Sequence, residues 1–292
     1  MIRIATRNSA LAKAQAGQVA ELLGGAELVE VSSDGEVGDK ARFVRGVERA
    51  LLAGGAEMGV HSAKDLPAEM AAGLRIAAVP VREDPADAWI GVGDSLDAVP
   101  EGARVGTASL RRRAQLLAVR PDLDVRELHG NVDTRLRKLA GGEHDAIVLA
   151  AAGLRRLGQE DEASFTLPTE TMTPAAGQGA LVLQTRSDDA EAAEAAAAVG
   201  DETALRELTA ERAAVALLEA SCATPIGVHA RVKDGQIAIE AFVGLPDGSE
   251  WIRDRVEGDA EEPAAAGVLL AERLLSAGAR DILDRAEEQP RV

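Results

Sequence analysis

Residues 105–119, VGTASLRRRAQLLAV, run from a short apolar strand pattern through a small polar turn into a helical pattern. The same order recurs at 4–15 (IATRNSALAKAQ) and 128–139 (LHGNVDTRLRKL). In each, a residue suited to an N-cap (Ser109, Ser9, Asn131) stands where the helix opens. Around these junctions, strand patterns fall at 2–5, 28–32, 58–61, 74–79, 88–92, 104–106, 125–128 and 146–149. Helical patterns fall at 11–23, 43–53, 110–119, 132–140 and 151–157. Strands alternating with helices predict α/β layers with largely parallel sheets.

Two interruptions divide the chain. The Pro-containing acidic segment 80–85 reads as a boundary, and PAAGQG at 174–179 must be irregular. Two crossings between the same lobes make the first domain discontinuous: 1–80 completed by 178–199, with a second domain over 85–173. After Asp201 the pattern becomes a helix, strands near 228–232, 236–243 and 251–256, and a C-terminal helix, a separate small α+β domain over 201–292.

Composition narrows the function. With 292 residues and 46% hydrophobic content, the chain supports two or three small cores. No apolar run approaches a membrane span, and MIRIATRNSA lacks the apolar stretch of a signal peptide, so a cytoplasmic protein is expected. A net charge of −17 argues against a nucleic-acid partner. The basic residues are 27 Arg and only 5 Lys. That acidic, lysine-poor balance suits a salt-rich cytoplasm, although a GC-rich genome produces the same bias. One cysteine excludes an internal disulfide framework and a multi-cysteine metal site, and no metal is expected. Nothing calls for more than a monomer.

The three junctions also place arginine beside or within the first helical turn: Arg7, Arg111 with Arg112, and Arg135. Cations there oppose the helix dipole at a cost of roughly 0.3–1 kcal/mol each. A bound anion would satisfy backbone N–H groups and guanidinium forks together. The alternative is that these arginines simply solvate helix surfaces. Arg rather than Lys favours planar partners, and without a GxxxxGK[ST] loop carboxylates are the better guess. In VHSAKDLP (60–67), Asp65 sits beside Lys64 and downstream of His61. It reads either as part of a capped turn or as a carboxylate that stabilises a cationic intermediate. Cys222, in LEASCATPIGV, is either a small buried hydrophobe or, given its loop-like flanks Ser221, Ala223, Thr224 and Pro225, an attachment or nucleophilic thiol. Composition and spacing alone reach a two-lobed enzyme or binding protein for a polyanionic small molecule.

Taken together, these segments resemble the porphobilinogen deaminase family over nearly the whole chain. IATRNSALAKAQ is similar to the family's IATRxSxLAxxQ, VHSAKDLP to VHSxKDxP, GTASLRR to GTSSLRR and GNVDTRLRKL to GNVxTRLxKL. HDAIVLAAAGLRRLG resembles DAIxLAxAGLxRLG, TPAAGQGAL resembles PAxGQGAL, and LEASCATPIGV resembles the attachment loop GGCxxPIG. Seven motifs in order are specific. The resemblance implies an α/β fold of three domains, the first two similar to type II periplasmic binding protein lobes, the third carrying the cofactor cysteine. It implies a dipyrromethane primer joined by a thioether to Cys222. Four porphobilinogen units would add with loss of ammonia before water releases hydroxymethylbilane. Asp65 would be catalytic, stabilising the positive charge that develops. Arg7, Arg111, Arg112, Arg135 and Arg156 would bind cofactor or substrate carboxylates, with Ser9, Lys64, Thr107 and Ser109 assisting. Gln178 would lie at the hinge, and Lys40 and Phe43 would make loop contacts.

Three departures stand out. His129 replaces the family's usual arginine, substituting a conditional cation. The loop before Phe43 is short, with Ala41 for a glycine. Ala220 and Ser221 replace the glycine pair before the cysteine. Two rival readings remain in view. A non-catalytic two-lobed binding protein for a small polycarboxylate would need neither Asp65 nor Cys222. A cysteine-nucleophile hydrolase would need a partner among His61, His129, His144 and His229, and nothing in the sequence selects one.

Overall fold

The computed structural model describes residues 1–32, 42–220 and 224–288. Cys222 and Lys40 lie outside the described residues, as does the Phe43 side chain. The chain opens with β1 (Arg3–Arg7), α1 (Ala10–Leu22), β2 (Glu27–Val31), α2 (Arg42–Leu52), β3 (Met58–Ser62) and β4 (Leu74–Ala78). It then crosses through residues 79–86 to β5 (Asp87–Gly91), β6 (Arg104–Gly106), α3 (Leu110–Val119), β7 (Asp124–Arg126), α4 (Val132–Ala140), β8 (Ala146–Ala150), α5 (Ala151–Arg156) and β9 (Phe165–Leu167). It crosses back through residues 168–180 into β10 (Leu181–Arg186), α6 (Ala190–Ala197) and α7 (Glu202–Leu217). The remainder is β11 (Ile226–Lys233), β12 (Gln236–Gly244), β13 (Trp251–Asp259), α8 (Pro263–Ser276) and α9 (Ala279–Glu288).

Two five-stranded sheets share one topology, β2-β1-β3-β10-β4 and β7-β6-β8-β5-β9. In each, the first three strands pair in parallel. The fourth runs antiparallel to both neighbours. The expectation of largely parallel sheets holds for four of the five strands in each sheet; the exceptions, β5 and β10, are the strands that follow the crossings, so each enters its sheet from the other lobe, against the local direction. Phe165–Leu167 carries too short an apolar pattern to stand out in sequence, and becomes an edge strand by pairing with β5. The Phe165 ring stacks on buried Trp89 at 5.7 Å.

The third sheet is an antiparallel meander, β11-β12-β13. Asp234 and Gly235 join β11 to β12 with positive φ at both positions (51° and 77°), the requirement of a two-residue turn that matches strand twist. Helices α7 and α8 pack on this sheet. Its core is assembled from Ala, Val, Leu and Ile, among them Leu270, Ile237 and Ile239, as a chain with 2% aromatic residues requires. Helix α9, in the expected C-terminal helical region, forms a second helix whose Ile282 and Leu283 close that core.

Candidate functional site

The polar junctions all open helices as expected. Ser9 accepts from the Ala12 N–H (3.2 Å), Ser109 from Arg112 N–H (3.4 Å) and Asn131 from Thr134 N–H (2.9 Å). Ser9 and Ser109 are therefore capping residues as well as candidate contacts. Thr107 is buried, and its hydroxyl accepts from Ser109 N–H at 3.2 Å, which shapes the turn into α3.

At the C-terminal end of β3 the chain tightens into a single turn, Ala63–Asp65. Asp65 Oδ2 lies 4.0 Å from Arg7 Nη2. Both line a narrow recess with Gln15, His61 and Ser62. Gln15 donates to Ser62 at 2.8 Å, and His61 Nε2 bonds Gln184 Oε1 at 2.8 Å. Burial pushes His61 down to about 4, further than the Gln184 bond offsets, so the ring is neutral at neutral pH.

Lys64, half-buried, reaches the second crossing. Its ammonium donates to Gln178 Oε1 at 3.2 Å. Burial, with Arg112 nearby, pushes it down to about 8 despite the carboxylates of Asp65 and Asp87. Gln178, buried at 1% exposure, donates from Nε2 to Pro85 O (2.7 Å) and Asp87 Oδ1 (2.8 Å). Two glycines make this possible. A Cβ on Gly177 (φ +74°) would come within 2.7–2.9 Å of Ala63 and the Lys64 backbone, and one on Gly179 (φ +88°) within 2.2 Å of Glu83 O. The GQG segment thus lets the second crossing lie directly against both the Lys64 turn and the first crossing.

Arg111 and Arg112 are buried at the first turn of α3 and meet Asp87. Arg112 donates from Nε (3.1 Å) and Nη2 (2.7 Å) to Asp87 Oδ1, and from Nη1 to Val148 O (3.0 Å). Arg111 donates to Thr173 O at 2.8 Å, with the same nitrogen 2.8 Å from Asp87 Oδ2. Burial pushes the Asp87 carboxyl up, but the two guanidiniums override it and hold the group well below the usual carboxylate range. The anion expected at this junction is therefore partly supplied by the protein.

Arg135 donates to Gly130 O at 2.9 Å, and burial, reinforced by Arg112, pushes it down to about 10. Arg156 donates to Gly179 O at 2.7 Å, its Nε is buried without a hydrogen-bond partner among the described residues, and burial pushes it down to about 10 against the pull of Glu83. His129 is exposed and pairs through Nε2 with Glu127 at 2.8 Å.

The geometry thus brings Arg7 to Asp65, and Lys64, Gln178, Arg111 and Arg112 into one connected network; Arg135 adjoins it electrostatically through Arg112, and Arg156 is bonded to the glycine after Gln178. Sequence reasoning missed Asp87, Arg82, Glu207 and Glu211. Arg82, in the first crossing, donates to Gln178 O (3.0 Å), Glu207 (3.4 Å) and Glu211 (2.8 Å). A charged residue opening an apolar strand (DAWIG) and two acids four apart on a helix were the available signals, and neither is specific. The flanks of the 221–223 segment are also tied here: Val228 donates to Pro174 O at 2.8 Å, and Gly227 packs against Thr173 O.

A dipyrromethane, which bears several carboxylates on adjacent pyrroles, fits these residues. Three cations held below their ordinary range by burial and one buried guanidinium nitrogen without a hydrogen-bond partner among the described residues are what an incoming polycarboxylate would relieve. Among described helices, none is long and apolar enough to cross a membrane.

Among solved structures, the chain is similar to a TRAP periplasmic solute binding protein from Desulfovibrio salexigens (9% identity, 70% of this chain, 73% of that one, TM-score 0.42). It is also similar to a YaeC-family lipoprotein from Enterococcus faecalis (16% identity, 68% and 91%, TM-score 0.40), and to the BvgS VFT2 domain from Bordetella pertussis (16% identity, 68% and 85%, TM-score 0.39). The family model described as "Porphobilinogen deaminase, dipyromethane cofactor binding domain" matches residues 2–194. That described as "Porphobilinogen deaminase, C-terminal domain" matches residues 205–276.

Proposed function

The chain belongs to the porphobilinogen deaminase family, and on that premise we propose a role for each group in the cleft. The chain is a deaminating transferase of tetrapyrrole biosynthesis, a hydroxymethylbilane synthase. It condenses four porphobilinogen molecules head to tail on a covalent dipyrromethane primer and releases ammonia and hydroxymethylbilane. When bound, the primer supplies the pyrrole α-carbon from which the chain grows.

The observation that carries the assignment of residues is the set of buried and half-buried cations around Asp65 and Asp87. Arg7, Lys64, Arg111, Arg112, Arg135 and Arg156 bind acetate and propionate groups, with Ser9, Thr107 and Ser109 lining the same helix openings and His129 at the rim. Asp65 is the catalytic residue. As the amine leaves porphobilinogen with its bonding electrons, positive charge spreads over the substrate's methylene and pyrrole nitrogen. The Asp65 carboxylate, already placed beside Arg7, stabilises that charge without reorganising. Neutral His61 behind it adds no competing positive charge.

Cys222 is the primer's attachment point. It is the only cysteine, and the described residues after it are pinned at Thr173 and Pro174, next to Arg111. Lys40 and Phe43 are assigned to the covering loop on sequence grounds alone. The domains are taken as 1–80 with 178–199, 85–173 and 201–292, a division that the sheet memberships support. We place the enzyme in the cytoplasm as a monomer, and with no nucleic-acid partner; the net charge of −17 supports the last of these.

Intact mass under denaturing conditions, beside a Cys222→Ala variant, tests this reading. A covalent excess of one dipyrromethane, absent from the variant, is expected. A chain that stays unmodified after incubation with porphobilinogen or hydroxymethylbilane overturns it in favour of a non-catalytic polycarboxylate-binding protein.

A further inference from the structure

Asp87 opens β5 directly after the first crossing and is fully buried. Its two oxygens do different things. Oδ1 accepts from Arg112 Nε, Arg112 Nη2 and Gln178 Nε2. Oδ2 lies 2.8 Å from Arg111 Nη1 without hydrogen-bond alignment, and has no other partner among the described residues. Arg112 is consequently engaged through all three nitrogens. Arg111 is bonded only through Nη1, to Thr173 O, leaving Nε and Nη2 without a hydrogen bond among the described residues.

Gln178 is the connecting piece. Its Nε2 faces two acceptors, Asp87 Oδ1 and Pro85 O, while its Oε1 faces the Lys64 ammonium, so only one orientation of the amide satisfies all three. Lys64 belongs to the first lobe, Gln178 to the second crossing, and Asp87 with both arginines to the second lobe.

We propose that Asp87 is a positioning residue: its carboxylate fixes Arg112 against Val148, holds Arg111 with one edge turned outward for a substrate carboxylate, and couples both through Gln178 to Lys64 across the lobe boundary. Two adjacent buried guanidiniums repel each other, and one internal carboxylate removes that repulsion while leaving the cluster cationic. An asparagine could not do the same. With its oxygen kept on Arg112 and Gln178, its amide N–H would face the Arg111 N–H at the position of Oδ2, displacing Arg111. This inference rests on the reading of Arg111 and Arg112 as carboxylate-binding residues.

The test compares holoenzymes carrying Asp87→Asn, Asp87→Glu, Arg111→Lys and the Asp87→Asn/Arg111→Lys pair. KM and kcat for porphobilinogen are measured, together with the pH dependence of Lys64 modification by an amine-directed reagent, read by peptide mass. Asp87→Asn is expected to raise KM about tenfold or more with a smaller change in kcat, because Asp65 is untouched. The Lys64 labelling midpoint should move to lower pH by about half a unit or more. The groups facing that ammonium are Asp65, Gln178, Asp87, Arg111 and Arg112, and removing Asp87's charge leaves the arginines less opposed. Arg111→Lys should also raise KM, and the double variant should be little worse than the more affected single one.

An unchanged KM and midpoint in Asp87→Asn, with Arg111→Lys impaired, overturns the role of Asp87 and leaves the binding site intact. An Arg111→Lys variant with unaltered KM overturns the reading of the site itself. Additive effects show that Asp87 does not act through Arg111 and overturn the proposal. If Asp87→Asn does not fold, Asp87→Glu decides, since it keeps the charge but shifts it by one methylene: a raised KM supports the proposal, and an unchanged KM overturns it.

Discussion

Arg82 meets Glu211 side by side, Nη1 to Oε1 at 2.8 Å and Nη2 to Oε2 at 3.2 Å, which clamps the first crossing to helix α7 of the third domain. The same carboxylate accepts from the N–H groups of Gly177 (2.6 Å) and Ala230 (2.8 Å). One buried acid thereby joins both crossings and the third sheet. Burial pushes Glu211 up, but Arg82 and His229 more than offset it and hold it near about 2. Because removing one partner leaves a buried charge uncompensated, Glu211→Gln should cost roughly 3–5 kcal/mol. Urea unfolding measures this directly, and a loss below about 1 kcal/mol would mean that the crossings are held by packing alone.

For Asp65→Asn, a neutral isostere removes the charge while leaving the turn at Ala63–Asp65 in place. The expected result is a fall in kcat of about 10²–10³ with KM within a few-fold. Steady-state kinetics on the primer-loaded variant checks it. A fall below about tenfold would assign the electrostatic work to another group.

His61 dictates an acid-side stability loss. Its folded pKa, about 4, lies below the unfolded value of 6.5. The unfolded chain therefore binds more protons between these values, and stability declines as pH falls through that window, by an amount approaching about 3 kcal/mol. Glu211 and Asp87, held low by their arginines, add their losses only at lower pH, below the ordinary carboxylate range. His61→Gln keeps a side chain able to bond Gln184 and removes the titration. Its stability should then decline less steeply than the parent's between about pH 6.5 and 4.5, the remaining slope coming from His144, which burial also pushes down. Parallel slopes for the two proteins would refute the assignment.

Lys64 sets binding against stability. Its ammonium is charged below about 8 in the folded protein, at a cost that burial imposes. Lys64→Met removes that cost but leaves Gln178 Oε1 without its donor, so stability should shift by no more than about 1–2 kcal/mol. Porphobilinogen turnover should fall by at least about tenfold, since an anion loses its cation. A strongly destabilised variant would show that Lys64 is primarily a structural residue.

The sequence was informative where the physics is local. N-caps and strand–helix junctions depend on a few adjacent residues, and Ser9, Ser109 and Asn131 cap helices as their patterns require. The mixed direction of the two large sheets was not local. β10 reads like any apolar strand, and only the return of the chain from the other lobe makes it antiparallel to β3. Asp87 and Glu211 escaped for a related reason. The arginine each one binds lies far along the chain, Arg112 at 25 residues from Asp87 and Arg82 at 129 residues from Glu211, and an isolated acid beside a strand or on a helix ordinarily faces water. The family motifs named the cleft residues. They said nothing of the carboxylates that hold those residues in place.

His129 stands where the family usually has arginine, and the structure shows what an arginine would meet. The ring is mostly exposed and pairs with Glu127, just before the turn that leads to Asn131 and Arg135. A guanidinium at 129 retains the Glu127 partner and adds a permanent cation near the proposed carboxylate-binding residues. His129→Arg should therefore keep or modestly improve turnover near neutral pH, with any gain in KM rather than kcat, because the side chain at 129 pairs with Glu127 and not with Asp65. Steady-state kinetics across pH 6–8.5 on the two primer-loaded proteins checks it. A large loss of turnover in the arginine variant would show that the imidazole has a role of its own.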